Sequence, residues 1–194
     1  MNNPYFVYTG NAYPHKNLDR LVKAFVMLNQ GKKEKVLLKV SSSRSVFTER
    51  LKKLIKENNA EKYIELMGFV PDEEIKSLYK NSIAFVFPTL SEGFGLPPME
   101  AIEAGAIVVQ SDIPVLKEVY EDSTLYFDPF DVKSIVVAME KVLNMTENER
   151  QRKIKNAQVF LKRYSWLKMA KETLKVYESV IWKDKHIIIH FCLF

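Results

Sequence analysis

A single cysteine, Cys192, is all the thiol chemistry in 194 residues. That excludes an internal disulfide and any metal site built on several cysteines, and it suits a reducing compartment such as the cytoplasm. Long apolar runs are missing as well, since none approaches the roughly 20 residues a membrane-spanning helix needs. The opening Met1-Asn2-Asn3-Pro4 has neither a basic start nor an apolar stretch, so no leader is expected. Excess charge of one sign is small, with 29 Lys and Arg against 24 Asp and Glu, and the lysines are dispersed over helix faces. A basic groove lined by aromatics is therefore absent, and nucleic acid is not an expected partner. Paired aspartates spaced to hold a divalent metal are absent too, and no metal is expected in a site.

What is present is the composition of a chain that builds a core. The residues are 47% apolar and 12% aromatic, which argues against disorder, and the length suits one good core better than two. Apolar runs of strand length alternate with amphipathic segments. Strands are expected at Tyr5 to Tyr8, Lys35 to Val40, Tyr63 to Met67, Ile83 to Phe87, Ala106 to Gln110 and Thr124 to Phe127. Helices are expected at Asn17 to Asn29, Thr48 to Asn58, Asp72 to Tyr79, Pro98 to Ala104, Val115 to Tyr120 and Val132 to Leu143. This alternation predicts an α/β fold, a doubly wound Rossmann-like parallel sheet with helices on both faces. After Asn144 the strands stop, and two closing helices are expected, Glu147 to Arg163 and Trp166 to Ile181, with Ser165 as the cap between them. One domain over residues 1–182 is expected, followed by an apolar tail over 183–194. That tail fits an added edge strand, a patch that docks on a membrane or partner, or an out-of-frame read after a truncation.

Within this frame the segment Ser91-Glu92-Gly93-Phe94-Gly95-Leu96-Pro97-Pro98-Met99-Glu100 stands out, because its glycines fall at a strand-to-helix turn. There Gly93 and Gly95 let backbone N–H groups approach a ligand, and a proline in the first helical turn loses little by lacking its own N–H. A helix N-terminus attracts anions. Glu92 before the turn and Glu100 one helical turn inside it offer acceptors for hydroxyl groups. Alone, each residue has a plainer reading: Glu100 as a partner of the helix dipole, Lys16 as a solvated surface cation, Phe94 as a wedge that fixes the loop. In register, they point to a ligand that carries both phosphate and sugar.

The seven residues between Glu92 and Glu100 make an E-x7-E motif, and the string E-G-F-G-L-P-P-M-E-A-x-x-A-G resembles the nucleotide-sugar signature of the family 4 retaining glycosyltransferases. Tyr8-Thr9-Gly10-Asn11-Ala12-Tyr13-Pro14-His15-Lys16-Asn17 is similar to the first loop of that family's donor-binding domain, with Asn11 where many members carry arginine. Leu66-Met67-Gly68-Phe69-Val70-Pro71 resembles the unit beside the base. The resemblance runs from about Tyr5 to about Trp182.

It implies one half of a GT-B architecture, the C-terminal domain that holds the donor, a nucleotide diphosphate sugar such as a UDP- or GDP-hexose. It implies Glu92 as the residue that acts on the donor sugar near the reacting carbon. Gly10, Lys16, Gly93, Phe94, Gly95 and Leu96 are then expected around the diphosphate, Glu100 at the ribose, and Met67 and Val70 along the base pocket. The implied activity is retaining, metal-independent hexosyl transfer. The acceptor, a saccharide or lipid-linked glycan, is expected to be held by a missing N-terminal domain or a partner chain. A non-catalytic nucleotide-sugar binding or regulatory module is the alternative. The lysines of the closing helices read as a solvated face, with peripheral attachment to the anionic inner membrane face or docking of a polar partner as the other readings.

Overall fold

The computed structural model describes residues 4–43 and 45–191, with side chains described to residue 180. The end of the expected tail, from Cys192 on, lies outside the described residues. The chain divides into two compact units, Met1–Val159 and Phe160–Phe194.

In the first unit the elements alternate as the apolar runs predict. They are β1 (Tyr5–Thr9), α1 (Leu18–Leu28), β2 (Leu37–Ser41), α2 (Val46–Glu57), β3 (Ile64–Gly68), α3 (Asp72–Lys80), β4 (Phe85–Phe87), α4 (Leu96–Glu103), β5 (Val108–Ser111), α5 (Pro114–Tyr120), β6 (Leu125–Phe127) and α6 (Val132–Leu143). α7 (Glu147–Leu161) follows. The strands form one six-stranded sheet in the order β3-β2-β1-β4-β5-β6, and each pairing is parallel.

Successive strand residues point to opposite faces, so a strand buried at every position must be covered on both sides. Phe6, Val7 and Tyr8 of β1 and Phe85, Val86 and Phe87 of β4 are all buried. α1 packs beside α2 and α6, whereas α3 packs beside α4, and right-handed crossovers set these two groups on opposite faces. α1 turns Leu18, Leu21, Val22, Ala24, Phe25 and Leu28 inward at helical spacing, and Phe6 meets Phe25 edge-on at 5.8 Å.

Three departures from the sequence reading have local causes. α4 starts at Leu96, with Gly95 as its cap in the left-handed region, so Pro97 and Pro98 both fall inside the first turn. Pro14–Lys16 forms a 3-10 turn that the periodicity does not announce, because Pro14 presets the first φ of so short an element. In the second unit α8 runs from Trp166 to Phe191, past the expected end at Ile181. No glycine or proline stands between those residues to stop it, and the apolar stretch from His186 continues the helix, so the edge-strand reading of the tail does not hold. Ser165 caps α8 as expected, its hydroxyl accepting from the Lys168 N–H at 3.3 Å.

Candidate functional site

The strand order reverses between β1 and β4, and in open α/β sheets the crevice outside the carboxyl ends of the strands at such a point is where ligands sit. Two loops meet there, residues 10–17 after β1 and 88–95 after β4. Hydrogen bonds hold them together: the Leu90 N–H donates to the His15 carbonyl at 2.7 Å, and the Thr89 hydroxyl donates to the same carbonyl at 3.3 Å.

Beneath them lies a residue that sequence reasoning passed over. Asn17 is fully buried, with φ 59°. Its amide Nδ2 donates to the carbonyls of Pro88 at 3.0 Å and Pro129 at 2.8 Å, and its Oδ1 accepts from Arg20 Nη1 at 2.9 Å. One side chain thus ties the loops after β1, β4 and β6. Asparagine suits the position because it tolerates the left-handed region and carries both donor and acceptor. An asparagine directly after a Pro-x-x turn and before an amphipathic run was the available signal.

Lys16 ends the 3-10 turn, which carries it across the crevice to Glu92. The two side chains form an ion pair and hydrogen bond while keeping 13% and 14% of their exposure. Phe87, the last residue of β4, lies below the ammonium, 5.3 Å from ring centroid to Nζ. The structure therefore unites two predicted site residues that are 76 positions apart.

The glycine loop divides into two kinds of glycine. Gly95 has φ +84°, and a Cβ built on it would stand 2.8 Å from Leu116 Cδ2 and 3.7 Å from Tyr120 Cε2. Its carbonyl accepts a hydrogen bond from the buried Tyr120 hydroxyl. Gly95 is thus fixed by the fold. A Cβ on Gly93 would meet nothing within 4 Å, so no neighbour in the chain demands glycine there. Phe94 and Leu96 flank Gly95 and keep 38% and 43% exposure. Proline lacks an N–H, so among the first four residues of α4 only Leu96 and Met99 carry one toward the helix start. Gly10 closes the cluster from the β1 side, its N–H donating to the Ser41 carbonyl at 3.0 Å.

Glu100 lies on α4, exposed at the surface, yet its pKa is raised above the ordinary carboxylate value. Partial burial by protein atoms is the main cause, followed by the carboxylates of Asp72 and Glu103. Two buried tyrosines are coupled to these acids. Burial pushes the Tyr8 phenol up, and the charge on Glu92 pushes it further. Tyr79 is pushed up to about 12, by burial first; a hydrogen bond with Thr9 opposes the rise and Glu100 adds to it. Tyr8 donates to the Asn11 carbonyl at 2.7 Å, which fixes the loop after β1 from below.

Met67 and Val70 are not brought into this cluster. Met67 lies on β3, the outer strand of that half-sheet and two strands from β1, and Val70 in the loop after it is buried. Between them Phe69, which sequence reasoning left unassigned, is 76% exposed. Two surface concavities lie away from the crevice. One of about 510 Å³ is lined by Lys141, Arg152, Lys153 and neighbours on α6 and α7. The other, of about 480 Å³, lies among Lys80, Gly105 and Arg150. The chemistry-bearing residues line the crevice, and these two hollows lie apart from it. Among the described residues no group of three or more His, Cys, Asp and Glu side chains converges as a metal site would require.

The family model described as glycosyl transferases group 1 matches residues 1–160. The chain belongs to that family. Among curated relatives of this family member, the O-antigen chain mannosyltransferase B of Escherichia coli is 32% identical over 176 residues, which cover 90% of this chain and 45% of that protein. The O-antigen chain mannosyltransferase RfbU of Salmonella typhimurium is 30% identical over 138 residues, covering 71% of this chain and 38% of the relative. Among solved structures, sucrose-phosphate synthase from Thermosynechococcus elongatus superposes with a TM-score of 0.81 at 21% identity, covering 94% of this chain and 46% of that one. The α,α-trehalose 6-phosphate synthase from Burkholderia multivorans gives 0.81 at 15% identity, covering 94% and 44%. At these identities the structures establish the shared fold. The group 1 chain spans less than half the length of each of these relatives.

Proposed function

We propose that this chain is the donor-binding domain of a retaining, metal-independent hexosyltransferase, and that it binds a nucleotide diphosphate sugar at the crevice between β1 and β4. The observation that carries the reading is the convergence of Lys16, Glu92 and the Gly93–Leu96 turn at the point where the strand order reverses. The open space above Gly93 supports it further, since a position that nothing in the chain requires to be glycine is explained by close approach of a ligand.

Retaining transfer breaks the bond between the anomeric carbon and the diphosphate while the acceptor attacks the same face. Negative charge grows on the leaving diphosphate, and a cation and oriented N–H groups fixed in advance lower that barrier, at ~2.7 to 4 kcal/mol for one such donor. Lys16 supplies the cation, and the turn into α4 supplies the N–H groups. Pro97 and Pro98 concentrate this role on Leu96, Met99 and the glycine turn. Glu92 takes the hydroxyls of the donor sugar, and Glu100, one helical turn on, takes those of the ribose.

The mannosyltransferase relatives favour a mannosyl donor and a glycan acceptor, with the acceptor held by a half that this chain does not match. The same reading has the protein working in the cytoplasm, with a lipid-linked acceptor reached at the inner membrane face. The exposed lysines Lys168, Lys171 and Lys175, beside the exposed Trp166, Leu167 and Leu174 of α8, support peripheral contact. Among the described residues no helix is long and apolar enough to cross a membrane.

Titration calorimetry with UDP, GDP, UDP-glucose and GDP-mannose, with and without a chelator, tests the proposal. Binding of one nucleotide series in the presence of the chelator is expected. Failure of all four ligands to bind, or strict dependence on a divalent metal, refutes it.

A further inference from the structure

Lys16 and Glu92 serve opposite sides of the bond that breaks, the diphosphate and the sugar, yet in the structure they bind each other. Resting on the nucleotide-sugar reading above, we propose that this pair makes the site prefer the sugar-bearing donor over the bare nucleoside diphosphate, by an exchange of partners. A diphosphate that engages Lys16 must take it from Glu92. Glu92 is then left without its partner, with only 14% of its side chain exposed, next to the negative diphosphate and close to the buried phenol of Tyr8.

Leaving one member of a poorly hydrated ion pair without its partner is unfavourable, much more so than separating two surface charges. The donor sugar removes the difficulty, because its hydroxyls donate to Glu92 in place of the ammonium. The bare diphosphate brings no such donor. Once the sugar has left, Glu92 competes for Lys16 again and favours release of the diphosphate. The rigid setting sharpens the competition. Phe87 fixes the ammonium from below, and the bond from the Leu90 N–H to the His15 carbonyl keeps the two loops at one separation.

The exchange predicts a change of sign that a simple binding carboxylate does not. Glu92→Gln removes the competitor for Lys16, so UDP or GDP, whichever the protein accepts, should bind roughly tenfold tighter, the scale of one hydrogen bond to a charged group. The matching UDP-glucose or GDP-mannose should bind more weakly than to the wild type. In a Lys16→Met background the gain for the bare diphosphate should vanish, since there is no cation to release. Glu92→Asp, which keeps the charge and shortens its reach, should shift the ratio in the same direction by a smaller factor, and it covers the case in which the glutamine variant does not fold.

Calorimetry on wild type, the three single variants and the double variant reads all of this, with thermal melts to verify folding. If Glu92→Gln or Glu92→Asp leaves the bare diphosphate unchanged or weaker, the exchange is overturned while the nucleotide-sugar reading stands. If the gain persists with Lys16→Met, plain repulsion between Glu92 and the diphosphate accounts for it, and the exchange is again overturned. If the wild type binds none of the nucleotides, both ideas fall together.

Discussion

Gly95 and Gly93 stand two residues apart in the same loop, yet substitution to alanine should separate them completely. At Gly95 alanine meets two penalties. The backbone sits at φ +84°, where an L-residue costs about 1 to 2 kcal/mol. The new methyl also falls 2.8 Å from Leu116 Cδ2. Leu116 is fully buried and cannot swing into solvent, so overpacking adds about 1 to 3 kcal/mol. Together they predict a loss of about 2 to 5 kcal/mol, or a fall in melting temperature of roughly 4 to 20 °C for a domain of this size. Gly93→Ala places its methyl in open space, so its stability should stay within about 0.5 kcal/mol of wild type. Its nucleotide affinity, however, should drop at least tenfold, because the methyl occupies the approach of the diphosphate. Urea unfolding followed by circular dichroism reads the first quantity, and calorimetry reads the second. A Gly95→Ala protein as stable as wild type would show that the packing argument is wrong. A Gly93→Ala protein with full stability and full affinity would remove the ligand from the loop.

Asn17→Asp should cost about 2 to 5 kcal/mol in urea unfolding, because the Pro88 and Pro129 carbonyls both lose their donor and face an oxygen instead; a loss under ~0.5 kcal/mol, the scale of an inert surface change, would show that the clamp is not needed. Glu100 has a raised pKa in the folded state, so the native protein holds that proton more tightly than the unfolded chain. Ionising Glu100 therefore lowers stability, an effect absent below the ordinary value of 4.5 and complete above the raised folded value. Glu100→Gln should then melt higher than wild type at neutral pH, with the difference fading as pH falls below that ordinary value, while its nucleotide affinity drops by ~1.5 kcal/mol or more. Equal melting at neutral pH would contradict the sign of the shift.

The strands and most of the helices were legible because burial on both faces leaves apolar runs such as Ile83 to Phe87, and one-sided burial leaves the spacing seen in Ile135, Val136, Met139 and Val142. Gly93, Gly95 and Glu100 were legible for a related reason: a turn, its cap and the first helical turn are local, and their residues lie together in the chain. The partnership of Lys16 with Glu92 was not, since nothing local relates positions 76 apart. It follows from the strand order, which sequence pattern leaves open. The Asn17 clamp was hidden for the same reason, its bonds reaching to residues 71 and 112 positions away. Helix ends were legible less evenly: α6 ends where expected, at Leu143 with Asn144 as its cap, while α8 runs on to Phe191 with no glycine or proline to stop it.

The sheet has a seam. β1 pairs with β2 along five registered positions, from Tyr5 opposite Leu37 to Thr9 opposite Ser41. It meets β4 at Val7 opposite Phe85, with bonds from the Val7 N–H to the Ala84 carbonyl and from the Ile83 N–H to the Tyr5 carbonyl. Within the sheet, two βαβαβ halves are thus joined along a short line, with α1 packed on α6 beside it, and the crevice with Lys16 on one lip and Glu92 on the other is the top of that line. Contacts within each half are nearer in sequence than those across it, so the halves form with less loop-closure entropy than their junction. The proposed site accordingly forms when the halves dock. On the proposed reading, a nucleotide there touches both lips and acts as a bolt across the junction, and bound donor should stabilise the sheet by the mass-action amount RT ln(1 + [L]/Kd).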